Sequence, residues 1–221
     1  MQKASTVPDT SDRIAFLSSQ FLGISYQVST LTGSEAEPEQ LVINLRAVDC
    51  FTLLDYVEAM RHSITFDSFV GHLKKIRYRD GLVSYMNRNH FFTDWAQYNQ
   101  ACISDVTGKV GGAQTHRIRK VLNVKTDGSF FVPGIPSVTR DMDFIPSGCI
   151  DDVVLGMMNT GDYAGIYSDR PGLDVSHTGV IIRRGSDVVF RHASSIQGKV
   201  VDEDFGKYVA VSPGLVVFRP R

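Results

Sequence analysis

The sequence predicts an α+β fold, with N-terminal helices packed on a C-terminal antiparallel β-sheet and a long insertion between them. Apolar residues recur at helical spacing in the N-terminal part of the chain. From residue 151 onward, short β-rich runs alternate with turns. Residues 63–150 follow neither pattern and read as an insertion within one domain spanning 1–221.

Taken in order, SDRIAFLSSQFL (11–22) is a helix. Ser11 or Asp12 caps it, Ile14, Leu17 and Phe21 share a face, and Gly23 ends it. A polar loop over 32–40 leads to LVINLR (41–46), which reads as a strand. In DCFTLLDYVEAMRH, Cys50, Leu53, Leu54, Val57 and Met60 fall on one helical face. Asp49 is the expected N-cap, which puts Cys50 in the first turn. Within 63–150, HLKKIRYRDG ends in a turn and NRNHFFTDWAQYNQAC is partly helical. VLNVK and GSFFVPGIP are short extended pieces with proline-set turns. The runs DDVVLGMM, YAGIYS, HTGVIIRR, DVVFRHAS, GKVVDE and GLVVFRP read as β, with a short helix in VDEDFGKYV.

The bulk composition narrows the function. The chain has 221 residues, 43% of them hydrophobic and 21% charged, which suits one substantial globular domain. A net charge of −1 argues against a nucleic-acid partner, which normally needs a basic excess. No apolar run is long enough for integral membrane contact. The polar N-terminus has no apolar core of a signal peptide; one was cleaved or removed, or none existed, and the sequence fits each. Cys50, Cys102 and Cys149 are odd in number, so at least one thiol is unpaired within the chain, and their spacing fits no zinc motif.

The segment DVSHTGVIIRRGSDVVFRHASS carries His177 and His192. If Gly185-Ser186 forms a two-residue loop, His177 faces Ser194 and Gly179 faces His192. The two histidines are then diagonal neighbours on one face of a hairpin. A three-residue loop puts them on opposite faces. Two such imidazoles suit a base and its orienter. Alternatively, each is a half-buried strand histidine satisfied by backbone.

Cys50 is the candidate nucleophile. A helix N-terminus favours the thiolate, an adjacent imidazole takes the proton, and the helix-end N–H groups can stabilise an oxyanion. The competing reading is a small buried residue on an apolar helix face. Cys102 and Cys149 read as structural.

Taken together, GISY before a strand, DC opening a helix, SHTGV on a strand and HAS on the next resemble the NlpC-type, papain-like cysteine cell-wall hydrolases. That resemblance implies Cys50 as nucleophile, His177 as base and His192 as its orienter. FLGISY, LVINLRAVDCFTLLDYVEAMR, IRYRDG, NRNHFFTDW, PGIPSVTRDMDFIP, GDYAGIYS, GLDVSHTGV, HASS and GKVV resemble, in order, the N-acetylmuramoyl-L-alanine amidase-like branch. Two departures stand out: Phe51 follows the cysteine where serine is usual, and Cys50 and His177 are 127 residues apart. The extra length is the 63–150 insertion, which is expected to shape the cleft.

The branch implies hydrolysis of the amide between N-acetylmuramic acid and L-alanine through a Cys50 thioester, with no metal or other cofactor. Peptidoglycan or a soluble muropeptide is the expected partner, in the periplasm or outside the cell. Tyr26 and Asp49, beside the nucleophile, join Arg79, Arg88, His90, Asp94, Trp95 and Ser176 as the candidate substrate-binding set. Each has a structural alternative: Tyr26 as a packed loop residue, Arg88 and Asp94 in ion pairs, Trp95 in the core. The rival functions are a γ-D-glutamyl–diamino acid endopeptidase, an acyltransferase, a zinc amidase, and a non-catalytic wall-binding module. No HExxH-type motif supports the zinc amidase.

Overall fold

Ten strands form one sheet that carries a helical layer on each face, a mixed α+β architecture in the computed structural model, which describes residues 1–221. The strands are β1 (Ser25–Tyr26), β2 (Ala47–Val48), β3 (Ile103–Asp105), β4 (His116–Leu122), β5 (Val138–Pro146), β6 (Tyr163–Tyr167), β7 (Val175–Arg184), β8 (Asp187–Ser194), β9 (Lys199–Asp204) and β10 (Gly214–Pro220). Their order is β2-β1-β9-β8-β7-β6-β10-β5-β4, with β3 also paired to β10. Only β1 and β2 run parallel. Residues 63–150 supply β3, β4 and β5 to this same sheet.

One face carries α1 (Gln2–Ser5), α2 (Thr10–Ser19), α3 (Cys50–Arg61), α4 (Phe66–Arg77) and α5 (Phe92–Tyr98). Their apolar side chains join Val180, Ile182, Val216 and Phe218 in the larger core. The other face carries α6 (Thr107–Gly111), α7 (Asp152–Gly156) and α8 (Phe205–Ala210). Val110, Val154, Phe205 and Val209 there pack on Ile181, Phe190, Leu215 and Val217. Side chains alternate along a strand, so neighbours in β7 and β10 serve opposite cores. This is why both strands read as unbroken apolar runs rather than as an alternating pattern.

The N-terminal helix starts earlier than the sequence suggests. Asp9, not Ser11 or Asp12, caps α2 and accepts from the Asp12 N–H at 3.0 Å. LVINLR is not a strand. Helix side chains take its backbone groups instead: the Tyr56 hydroxyl bonds the Asn44 N–H at 2.9 Å, and Arg77 donates to the Val42 carbonyl at 2.8 Å. DDVVLGMM is not β either. Asp151 caps it as α7 by accepting from the Val154 N–H. α4 is a full helix with a Thr65 capping box.

The β7–β8 hairpin has the two-residue loop. Gly185 has a φ of 64° and Ser186 is not left-handed, as a type II′ turn requires. Val180 faces Arg191 and Arg184 faces Asp187, the register that sets His177 and His192 on one face.

Candidate functional site

Asp49 caps α3 and closes a capping box with Thr52. Its carboxylate accepts from the Phe51 N–H at 3.0 Å and the Thr52 N–H at 2.7 Å. These two donors are therefore occupied and cannot serve an oxyanion. The Cys50 N–H is left as the free donor at the helix end. On β7, the Thr178 hydroxyl donates to the Cys50 carbonyl at 3.0 Å and ties the helix end to the strand beside His177.

The two imidazoles meet directly. His177 Nε2 and His192 Nδ1 are 2.7 Å apart. Phe190 stacks on His192 at 4.8 Å between ring centroids, and Tyr208 of α8 covers both histidines at 6.0 and 5.0 Å. Gly179 makes room for this packing. A Cβ there would lie 2.5 Å from the Phe190 ring and 2.7 Å from the Arg191 carbonyl. The glycine of HTGV is thus required by close approach, not by a turn.

Cys50 and His177 share a cavity of about 190 Å³. Its apolar walls include Phe51, Phe91, Phe92, Phe131, Val132 and Leu173, and its polar lining includes His90, Ser176 and Thr178. His177 Nδ1 has no protein partner and is not sealed from solvent. A larger hollow, about 710 Å³ around Phe16, Phe21 and Phe66, lies apart from all of these groups.

The electrostatics set burial against the helix dipole at Cys50. Burial, then the Asp49 charge, push the Cys50 thiol up to about 11; Thr178 offsets only part of this. The same carboxylate that caps the helix is an anion beside the sulfur and opposes the dipole. Burial, then His192, push His177 down to about 3. Both shifts favour the uncharged forms, a thiol on Cys50 and a neutral imidazole on His177. His192 is also lowered, chiefly by burial, with Glu203 opposing.

The remaining candidates divide. His90 and Ser176 line the cavity. Burial pushes His90 down to about 4, and its Nε2 meets the Tyr85 carbonyl at 2.8 Å. Tyr26 lies on β1, where the Cys50 and Asp49 charges both raise its hydroxyl after burial. Arg88 pairs internally with Glu39 at 3.0 Å, Asp94 pairs with Arg140, and Arg79 lies over the Tyr98 ring at 5.1 Å and bonds the Met86 carbonyl. None of these three lines the cavity. Trp95 is fully buried and donates to Asp55 at 3.1 Å, so it offers no face to a sugar; it is a core residue. Sequence reasoning missed Thr178, Phe131, Val132, Tyr208 and Glu203. Thr178 was legible as the neighbour of His177 on the strand, and Glu203 from the diagonal rule that pairs the histidines.

Outside the cavity, donor atoms of Glu58, His62 and Cys102 lie within 4.8 Å of one another. Arg61 already donates two bonds to that Glu58 carboxylate, at 2.6 and 2.7 Å, so the cluster is occupied by a cation of the chain itself.

A family model described as AmiA-like, N-acetylmuramoyl-L-alanine amidase-like, matches residues 16–215. No curated protein matches the chain. Among solved structures, an N-acetylmuramoyl-L-alanine amidase from Bacteroides uniformis ATCC 8492 superposes with a TM-score of 0.80 at 25% identity, covering 96% of this chain and 98% of that one. Protein LPG0564 from Legionella pneumophila str. Philadelphia 1 superposes with a TM-score of 0.83 at 23% identity, covering 97% and 90%.

Proposed function

We infer a function from two premises: the chain belongs to the AmiA-like, N-acetylmuramoyl-L-alanine amidase-like family, and one cavity holds a thiol and an oriented imidazole. The protein is a cysteine amidase of papain-like, NlpC-type design. It cuts the amide between the lactyl carbonyl of N-acetylmuramic acid and L-alanine. The observation that carries this is the 2.7 Å bond between His177 Nε2 and His192 Nδ1, which leaves His177 Nδ1 without a protein partner in a residue that lines the same cavity as Cys50.

In the first step the Cys50 sulfur attacks the carbonyl carbon as its proton passes to His177 Nδ1. A resting thiol and neutral base make this a concerted proton transfer rather than attack by a standing thiolate. The Cys50 N–H and the Tyr26 hydroxyl donate to the oxyanion. Collapse breaks the C–N bond. His177 returns the proton to the departing L-alanine nitrogen, and the muramoyl group remains on Cys50 as a thioester. Water then attacks with His177 as base, releasing the muramic acid carboxylate and the free thiol.

The apolar walls suit the methyl groups of the lactyl, N-acetyl and alanine units. Phe131 and Val132, from the 63–150 stretch, narrow the cavity and favour soluble muropeptides over intact wall. Such a substrate implies a site of action in the periplasm or outside the cell.

The test is digestion of defined muropeptides, with product masses read for the protein and its Cys50→Ala variant, with and without chelator. The expected result is free stem peptide beginning at L-alanine, absent in the variant and indifferent to chelator. A cut after D-glutamate instead would make the protein an endopeptidase. No cut at all by the folded protein would leave a binding module.

A further inference from the structure

We propose that Glu203 is a positioning residue that completes a four-member relay, Cys50–His177–His192–Glu203, and sets the direction in which its protons point. The proposal deepens the cysteine-amidase reading and rests on it. Phe190 faces Glu203 across β8 and β9, and His192 faces Val201. Glu203 is thus the diagonal neighbour of His192 on the same face, as His192 is of His177. Its Oε1 lies 3.5 Å from His192 Nε2, at the outer edge of hydrogen-bond reach. That nitrogen is otherwise sealed from water and unpartnered.

Proton bookkeeping leaves one productive arrangement. To accept from the thiol, His177 must be bare at Nδ1 and protonated at Nε2. Its Nε2–H then donates to His192 Nδ1, which must be bare. His192 therefore carries its proton on Nε2, buried and aimed at Glu203. The opposite tautomer of His192 would donate to His177 Nε2 and place the His177 proton on Nδ1, blocking the base. A carboxylate can only accept, so Glu203 selects the productive tautomer. It also stabilises the positive charge that the imidazoles share when the thiol proton arrives. Gln197 Nε2 donates to the same oxygen at 2.5 Å and holds the carboxylate in place. The other titratable groups near His192 are His177, Tyr208 and, from the opposite face of β9, Asp202, whose carboxylate is bound to Arg191 and Arg184.

Long-range ¹⁵N NMR of the histidine rings in the resting, full-length protein tests this without substrate. His177 and His192 are expected to be protonated at Nε2. Glu203→Leu should shift His192 toward the Nδ1–H form and lower kcat about a hundredfold with KM unchanged. Glu203→Gln keeps an acceptor without the charge. It should retain the tautomer, recover most of the kcat, and move the acid limb of the rate profile to lower pH, because a lost anion no longer favours the protonated imidazole. Should Glu203→Leu fail to fold, the acid-limb shift in Glu203→Gln decides. Wild-type tautomers and kcat in the Leu variant, or an unmoved acid limb in the Gln variant, would overturn the proposal. Relay tautomers as expected in a protein that cuts no muropeptide would instead reject the reaction and leave the relay standing.

Discussion

The two ends of helix α3 treat buried polar groups in opposite ways. At its C-terminal end, Glu58 and Arg61 are both charged and both paired, at 2.6 and 2.7 Å. Tyr163 adds a bond to Glu58 at 2.7 Å, and Arg61 also donates to the Cys102 and Arg221 carbonyls. Burial alone would raise the Glu58 carboxyl, but the bonds from His62 and Arg61 outweigh it and hold the group below its ordinary value. At the N-terminal end, burial pushes the Cys50 thiol up and the His177 imidazole down, towards their neutral forms, and His177 Nδ1 has no protein partner. A satisfied buried charge fixes a scaffold. An unsatisfied neutral pair is held ready for a proton and a substrate.

The comparison breaks most sharply under substitution. Cys50→Ala should abolish amidase turnover by more than about a thousandfold while the thermal midpoint barely moves. Cys102→Ala and Cys149→Ala should keep turnover. An equal loss in either would refute the assignment of the nucleophile. Glu58→Ala should do the reverse. It strands the Arg61 guanidinium and should cost about 3–5 kcal/mol in denaturant unfolding, with kcat kept in the fraction that remains folded.

Stability against pH sharpens the contrast further. His177 binds a proton near its ordinary 6.5 when unfolded but only near 3 when folded. Between these values the unfolded chain holds more protons, so stability rises with pH and is lost as pH falls below 6.5. The slope is at most about 1.4 kcal/mol per pH unit for one such group. His177→Gln should remove its share of that slope in urea melts taken across the window. Arg79→Ala should do least. Its cation–π contact with Tyr98 lies away from the cavity, so stability should change by less than about 1 kcal/mol and KM by less than twofold. A large rise in KM would return Arg79 to the substrate site.

The hairpin was legible because a single integer, its loop length, determines which faces its residues share. α3 was legible from its cap and its 3.6-residue period. LVINLR and DDVVLGMM were misread because an apolar run does not say who takes its backbone bonds. Tyr56 and Arg77 claim the first, and Asp151 turns the second into a helix. Trp95 stood as a binding candidate with the core as its alternative, because composition alone cannot separate an aromatic on a cleft from one in a core. At the thiol two features of the helix end oppose each other. Asp49 was recognised as the cap, but its charge beside the sulfur counts against the very dipole the cap completes. Glu203 lies one hairpin further on, and the diagonal rule that paired the histidines would have reached it.

The most direct measurement is the pH dependence of Cys50 alkylation by iodoacetamide, followed by peptide mass so that Cys102 and Cys149 are counted apart. A neutral thiol pushed up to about 11 should give a rate that climbs steadily from neutral pH through pH 10. A flat, fast rate from mildly acidic pH upward would mean a standing thiolate–imidazolium pair and would contradict the neutral site described here.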